Sequence, residues 1–130
     1  MVITIDGAAG VGKSSTAKEL AKRLGYKYFD TGAMYRAVTF YFLAENIDLE
    51  SNSQVIKSLS SIKLHIDFSF EKEMRIFLNE EDISLKIRSQ KVTSTVSTVS
   101  AIKEVREMMV KIQRSFTKDG NFVIEGRDIG

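Results

Sequence analysis

The chain has 130 residues, 43% hydrophobic and 28% charged, with 19 basic and 17 acidic side chains and a formal net charge of +2. This reads as one soluble domain long enough to bury a core, and the near balance of charge gives no general electrostatic case for nucleic acid. The lack of cysteine excludes disulfides, thiolate zinc sites and a cysteine nucleophile. No apolar run reaches membrane-spanning length and Asp6 interrupts any leader-like start, so no membrane association and a cytoplasmic location are expected.

In chain order, Val2-Ile3-Thr4-Ile5 is an apolar run expected to form a short strand. Gly7-Ala8-Ala9-Gly10-Val11-Gly12-Lys13-Ser14 follows and matches G-x-x-x-x-G-K-[ST]. By average residue usage, the four fixed positions coincide in about one window in tens of thousands. Residues Ser14–Leu24 are expected to be helical, and strand, glycine-rich turn and helix is the context this motif requires. Curled glycine backbone aims several N–H groups at one anion, and the helix start adds partial positive charge. The segment from Gly7 to Ser15 is therefore the expected triphosphate cradle. Lys13 supplies a mobile charge for the outer phosphates and the Ser14 hydroxyl a ligand for Mg²⁺. The cofactors implied are ATP and Mg²⁺.

Gly25 is the expected C-cap of that helix. Tyr26-Lys27-Tyr28-Phe29 reads as a second strand ending at Asp30, and Thr31-Gly32 as a turn or N-cap. Residues 33–45 and, more weakly, 53–61 are expected helices. The period then changes. Residues 63–70 alternate polar and apolar strictly, residues 73–79 alternate again, and Glu71-Lys72 joins them. This predicts an antiparallel hairpin with one wet face. A doubly wound sheet has no place for it, so residues 62–88 are expected to be an inserted subdomain within a single domain spanning 1–130. Helical patterning resumes from 89 to 118, weakest over the Thr/Ser/Val-rich residues 92–100. Asp119-Gly120 breaks it, and Asn121-Phe122-Val123-Ile124 is the expected third core strand. The fold class is α/β. Tyr26, Tyr28 and Tyr41 are read as core, His65 as a solvated residue on the wet face of the hairpin, and the lysines of the first helix as ordinary solvation.

A second motif follows the second strand, Asp30-Thr31-Gly32-Ala33-Met34-Tyr35-Arg36, and a third closes the sequence, Glu125-Gly126-Arg127-Asp128-Ile129-Gly130. With Ile3-Thr4-Ile5-Asp6-Gly7, Ile87-Arg88-Ser89-Gln90-Lys91-Val92 and Val105-Arg106-Glu107, they give the chain a close resemblance, over essentially its whole length, to the bacterial cytidylate (CMP) kinases. The phosphate loop is common to many proteins; the other two motifs in this order are far more specific. The resemblance implies a three-layer P-loop kinase core with its three strands here in the order 2-3-1. It also implies an antiparallel insert on the acceptor side, and phosphorylation of CMP and dCMP by ATP in pyrimidine nucleotide metabolism. Ala8 stands where the family often has proline, a change in stiffness that leaves the cradle intact. The family continues into further strands, an arginine-bearing lid and a closing helix that these 130 residues do not contain. The chain is thus expected to be an N-terminal portion, nearly inactive alone and prone to self-associate through Val2–Ile5, where the full-length protein is expected to be monomeric.

A kinase of monophosphates must hold two polyanions together, and arginine forks suit the acceptor phosphate. Arg36 and Arg127 are the candidates, and the resemblance directs both to the CMP phosphate. It also assigns Asp128, Arg106 and Ser97 to the cytosine ring, where a carboxylate accepting from the amino group favours cytosine over uracil. Asp30, at a strand's carboxyl end, is placed to orient the acceptor or the Mg²⁺ water shell, or simply to cap the next helix. Thr31 is a candidate acceptor contact, and Arg88 either an acceptor-site residue or half of an ion pair. Two other readings stay open: a small P-loop kinase for another acceptor, and a chain that binds nucleotide without turnover.

Overall fold

Two three-stranded sheets organise the protein in the computed structural model, which describes residues 1–6, 13–70 and 73–126, with backbone alone for Asp6, Lys13–Ser15, Ser69, Phe70 and Glu73. The first sheet is parallel and contains β1 (Val2–Asp6), β2 (Lys27–Asp30) and β6 (Phe122–Gly126) in the order β1-β6-β2. This is the expected 2-3-1 order, and Ile124 stands level with both Thr4 and Phe29. The middle strand buries Phe122, Val123 and Ile124 almost completely. Such a strand reads as an unbroken apolar run because both its faces are covered.

Helix α1 (Lys13–Leu24) covers one face, packing Ala17 and Ala21 on Val123. Gly25 ends it with φ 71°, and the Tyr26 amide returns to the Ala21 carbonyl at 2.9 Å. The other face carries the main core, to which α2 (Thr31–Ala44) brings Ala33, Met34, Ala37, Val38 and Phe42, α3 (Asn52–Ser61) brings Val55 and Leu59, and α5 (Lys103–Thr117) brings Val105 and Met109. α4 (Gln90–Ser100) packs along α2 and contributes Val99. Serine side chains start two of these helices, Ser51 accepting from the Gln54 amide and Ser89 from the Val92 amide. Hydroxyl caps of this kind offset the cost of the β-branched run in α4.

The entry to α2 decides between the two expected caps. Asp30 is the cap, accepting from the Ala33 amide at 3.2 Å, and Thr31 is already helical. The Thr31 hydroxyl is spent elsewhere, donating to the Glu125 carbonyl at 2.8 Å. Gly32 is the residue this turn needs, because a Cβ there would stand 3.1 Å from Asp30 Oδ1.

The second sheet is antiparallel, with β3 (Leu64–Phe70), β4 (Glu73–Leu78) and β5 (Glu81–Asp82) in that order. Ile66 lies opposite Ile76 and Leu64 opposite Leu78 on the core side, while His65 opposes Phe77 and Asp67 opposes Arg75 on the other. His65 is exposed and its ring lies 6.0 Å from Phe77 and 6.4 Å from Phe116. β5 is a strand that the alternation did not predict. Asn79 and Glu80 turn the chain into it with φ of 48° and 74°. Beyond β5, a turn of 3₁₀ helix at Lys86–Arg88 leads to α4.

Three rings join the sheets. Phe68 of β3 lies 6.1 Å from Phe29 of β2 and 5.5 Å from Phe122 of β6. The Lys27 ammonium sits over the Phe68 and Phe122 rings at 5.6 and 5.7 Å. Among the described residues no helix is long and apolar enough to cross a membrane.

Candidate active site

Ligands of open parallel sheets collect at the carboxyl ends of the strands. Here the register sets Glu125 level with both Ile5 and Asp30, and Asp6 level with Gly126. Three acidic positions, 6, 30 and 125, therefore share the carboxyl edge. The phosphate-loop sequence continues from β1 and the Arg127-Asp128 motif from β6. Gly7, Ala8, Ala9, Gly10, Val11 and Gly12 lie outside the described residues, as do Arg127 and Asp128. Lys13, Ser14 and Ser15 form the first turn of α1, described by backbone only.

Asp30 is the best-defined candidate. It is partly buried, and burial is the main reason its carboxyl is held above the ordinary aspartate range. The Ala33 amide pulls it back down, the Glu125 charge raises it further, and Arg88 and the Gly32 amide lower it. Its own amide donates to the Met74 sulfur at 3.3 Å, tying the edge of the parallel sheet to β4. A cavity of about 650 Å³ opens here, lined by Asp30, Tyr28, Lys18, Met74 and Arg88 among others. Arg88 stands on the 3₁₀ turn, so that turn and the sheet edge together carry opposite charges at one opening.

Arg36 is half-buried on α2 and donates through Nη1 to Thr93 Oγ1 at 2.8 Å and to the Ile87 carbonyl at 3.4 Å. Thr31 is buried with its hydroxyl committed to the Glu125 carbonyl. Ser97 and Arg106 are exposed on α4 and α5. Among the described residues no hydrogen bond or ion pair links either to Asp30, Thr31 or Arg36. Glu107 on the same helix is 3.8 Å from Lys103, not paired with Arg106.

Two residues join this edge that the sequence reading passed over. The Tyr28 hydroxyl donates to Glu125 Oε2, and the Lys18 ammonium lies 5.7 Å above the Tyr28 ring. Tyr26 and Tyr28 are half-buried cavity walls, whereas Tyr41 is core as expected. Alternation in Lys27-Tyr28-Phe29-Asp30 carries the signal: Tyr28 faces away from buried Phe29, and a half-wet tyrosine must place its hydroxyl.

A parallel sheet whose carboxyl edge gives rise to a phosphate-loop sequence, joined to a separate antiparallel sheet, defines the P-loop kinase class of α/β proteins. Comparison with known proteins narrows the class. The family model described as cytidylate kinase matches residues 3–130. A cytidylate kinase of Caldanaerobacter subterraneus is 49% identical over 128 residues, covering 98% of this chain and 55% of that protein. One from Lactiplantibacillus plantarum is 44% identical, with 98% and 56% covered. A bifunctional pantoate ligase/cytidylate kinase of Prochlorococcus marinus is 45% identical over 129 residues, covering 99% of this chain and 25% of that protein. The chain belongs to the cytidylate kinase family. It spans a little over half the length of the single-function relatives it matches.

Proposed function

We propose that this chain serves phosphoryl transfer from ATP to CMP or dCMP, giving ADP and the nucleoside diphosphate. The observation that carries this is the family match running from residue 3 to residue 130, which takes in the phosphate loop and both arginine motifs. In this reading the backbone of residues 7–15 cradles the ATP phosphates and Lys13 neutralises the outer ones. Mg²⁺, when bound, would supply charge neutralisation. Hard oxygen donors suit it; Ser14 is the candidate ligand in the phosphate-loop sequence, and Asp30 and Glu125 stand level at the strand edge. Arg36 and Arg127 bind the acceptor phosphate. Asp128, Arg106 and Ser97 read the cytosine ring, while Thr31 and Asp30 shape the entry of the acceptor helix. The catalytic work is positioning and charge stabilisation with no covalent intermediate on the protein.

Binding and turnover are read separately in the test. CMP, dCMP, UMP and AMP are titrated into the protein, then offered with ATP and Mg²⁺ while the diphosphate product is quantified. The reading requires a preference for the cytosine nucleotides in binding and in whatever turnover is seen, and equal handling of CMP and UMP defeats it. Lys13→Ala is expected to weaken ATP binding by about 1.5–3 kcal/mol, the value of a charge-assisted contact. ATP affinity unchanged in that variant removes the loop from the site.

A further inference from the structure

Arg36 is held by one nitrogen. Among the described residues both of its hydrogen bonds, to Thr93 Oγ1 at 2.8 Å and to the Ile87 carbonyl at 3.4 Å, leave from Nη1. A guanidinium has five N–H groups in a fixed fork, and Nη1 owns two of them. Those two bonds use up Nη1 and orient the plane, so the Nε/Nη2 edge is the one presented for a two-oxygen contact.

The anchors are themselves fixed. Ile87 is buried in the 3₁₀ turn that closes the insert. Thr93 lies in the first turn of α4, where Ser89 caps the helix and the Thr93 amide returns to the Ser89 carbonyl at 3.0 Å. Thr93 is exposed and adds nothing to the core. Its hydroxyl is worth having at that position for what it does to Arg36. An arginine loses much rotamer freedom when it closes on a ligand, and a site that has already ordered it binds more tightly.

We infer that Thr93 is a positioning residue for the acceptor phosphate: by holding Nη1 of Arg36, it presents the opposite edge of the guanidinium to the monophosphate group of the nucleotide. This rests on the functional reading above, in which Arg36 addresses that phosphate.

The test compares CMP with cytidine, which lacks the phosphate, by NMR titration of the protein, a method that reads millimolar affinities. Thr93→Val keeps the shape and removes the hydroxyl. It is expected to weaken CMP binding about 3- to 10-fold, the range of an ordinary net hydrogen bond, since the hydroxyl reaches the phosphate only through Arg36, and to leave cytidine binding unchanged. Thr93→Ser should restore CMP binding. In an Arg36→Ala background, Thr93→Val should have no further effect, since the hydroxyl acts through that side chain. Thr93→Ala is read in the same way should the valine variant misfold. CMP affinity unchanged in both variants overturns the inference. So does a parallel loss of CMP and cytidine, which is the mark of a merely structural contact, or a loss that persists without Arg36. A wild-type protein that binds no CMP defeats the functional reading and this inference together, whereas wild-type binding with an unaltered Thr93→Val defeats this inference alone.

Discussion

In the parallel sheet, β6 buries Phe122, Val123 and Ile124 in succession, whereas in the antiparallel sheet β4 buries Ile76 and Leu78 and leaves Phe77 half-exposed between them. The two aspartates that follow from this difference are opposites. Asp30 ends a strand packed between layers, and burial drives its carboxyl up. Asp82 ends a strand at the wet edge, where the Ser84 hydroxyl and amide at 2.6 and 2.9 Å hold its carboxyl down. A charge is tolerated at the first site at a cost in stability and is welcomed at the second. Costly charges cluster where chemistry is done, and of these two aspartates it is the one at the parallel sheet edge that carries the cost.

The sharpest way to break this comparison is at the joint between the sheets. Phe29→Ala removes a fully buried ring that touches Phe68 and Phe122 and should cost about 3–5 kcal/mol in denaturant unfolding. Phe77→Ala should cost clearly less. Equal losses would mean that the outer face of β4 is packed as tightly as the joint between the sheets.

Next in size is the cap. Asp30→Ala should lose about 1 kcal/mol through the bare Ala33 amide, while Asp30→Asn keeps an acceptor and sheds the buried charge. The asparagine variant should therefore be at least as stable as wild type at neutral pH. A loss matching that of alanine would show that the carboxylate is not under strain.

The smallest effect is a pair of opposed pH dependences. The folded protein holds the Asp30 proton more tightly than the unfolded chain does. Its contribution to stability is present in acid and is lost as pH rises from the ordinary aspartate value through the raised folded one. Asp82 runs the other way, contributing above the ordinary value and losing that contribution as pH falls through its lowered folded one. Asp30→Asn should thus help most near neutral pH and not at all in strong acid. Asp82→Asn should hurt near neutral pH and be silent in strong acid. Parallel profiles for the two variants would remove the distinction.

Much of the architecture was legible because period is a strong signal. Strict alternation in 63–70 and looser alternation in 73–79 announced the hairpin, and the apolar run at 122–124 announced the third core strand. β5 was not legible, since Glu81-Asp82 has no apolar alternation and is reached through Asn79 and Glu80 in the left-handed region. Asn79 favours the left-handed region, but Glu80 beside it gives no such signal. The cap of α2 was left open between Asp30 and Thr31-Gly32, because Asp30 and Thr31 are both good caps, and only the distant Glu125 carbonyl, which takes the Thr31 hydroxyl, decides between them. At the candidate site, motifs located Asp30 and Arg36. They could not reveal that Tyr28 meets Glu125 or that Arg36 meets Thr93, contacts 97 and 57 residues apart in sequence. Pairings of that kind exist only once the sheet order is known.

That order also governs when the fold can assemble. β6 lies between β1 and β2 although it follows both in the chain. During synthesis at ~5–20 residues per second, the stretch from β2 to β6 takes on the order of ten seconds to emerge. For that interval two parallel strands wait with no neighbour to bond, and the helices and hairpin between them must persist on local contacts alone. The nascent protein is then an antiparallel sheet and a set of amphipathic helices, and the arrival of Phe122-Val123-Ile124 joins β1 to β2 and brings the carboxyl ends of these three strands into line.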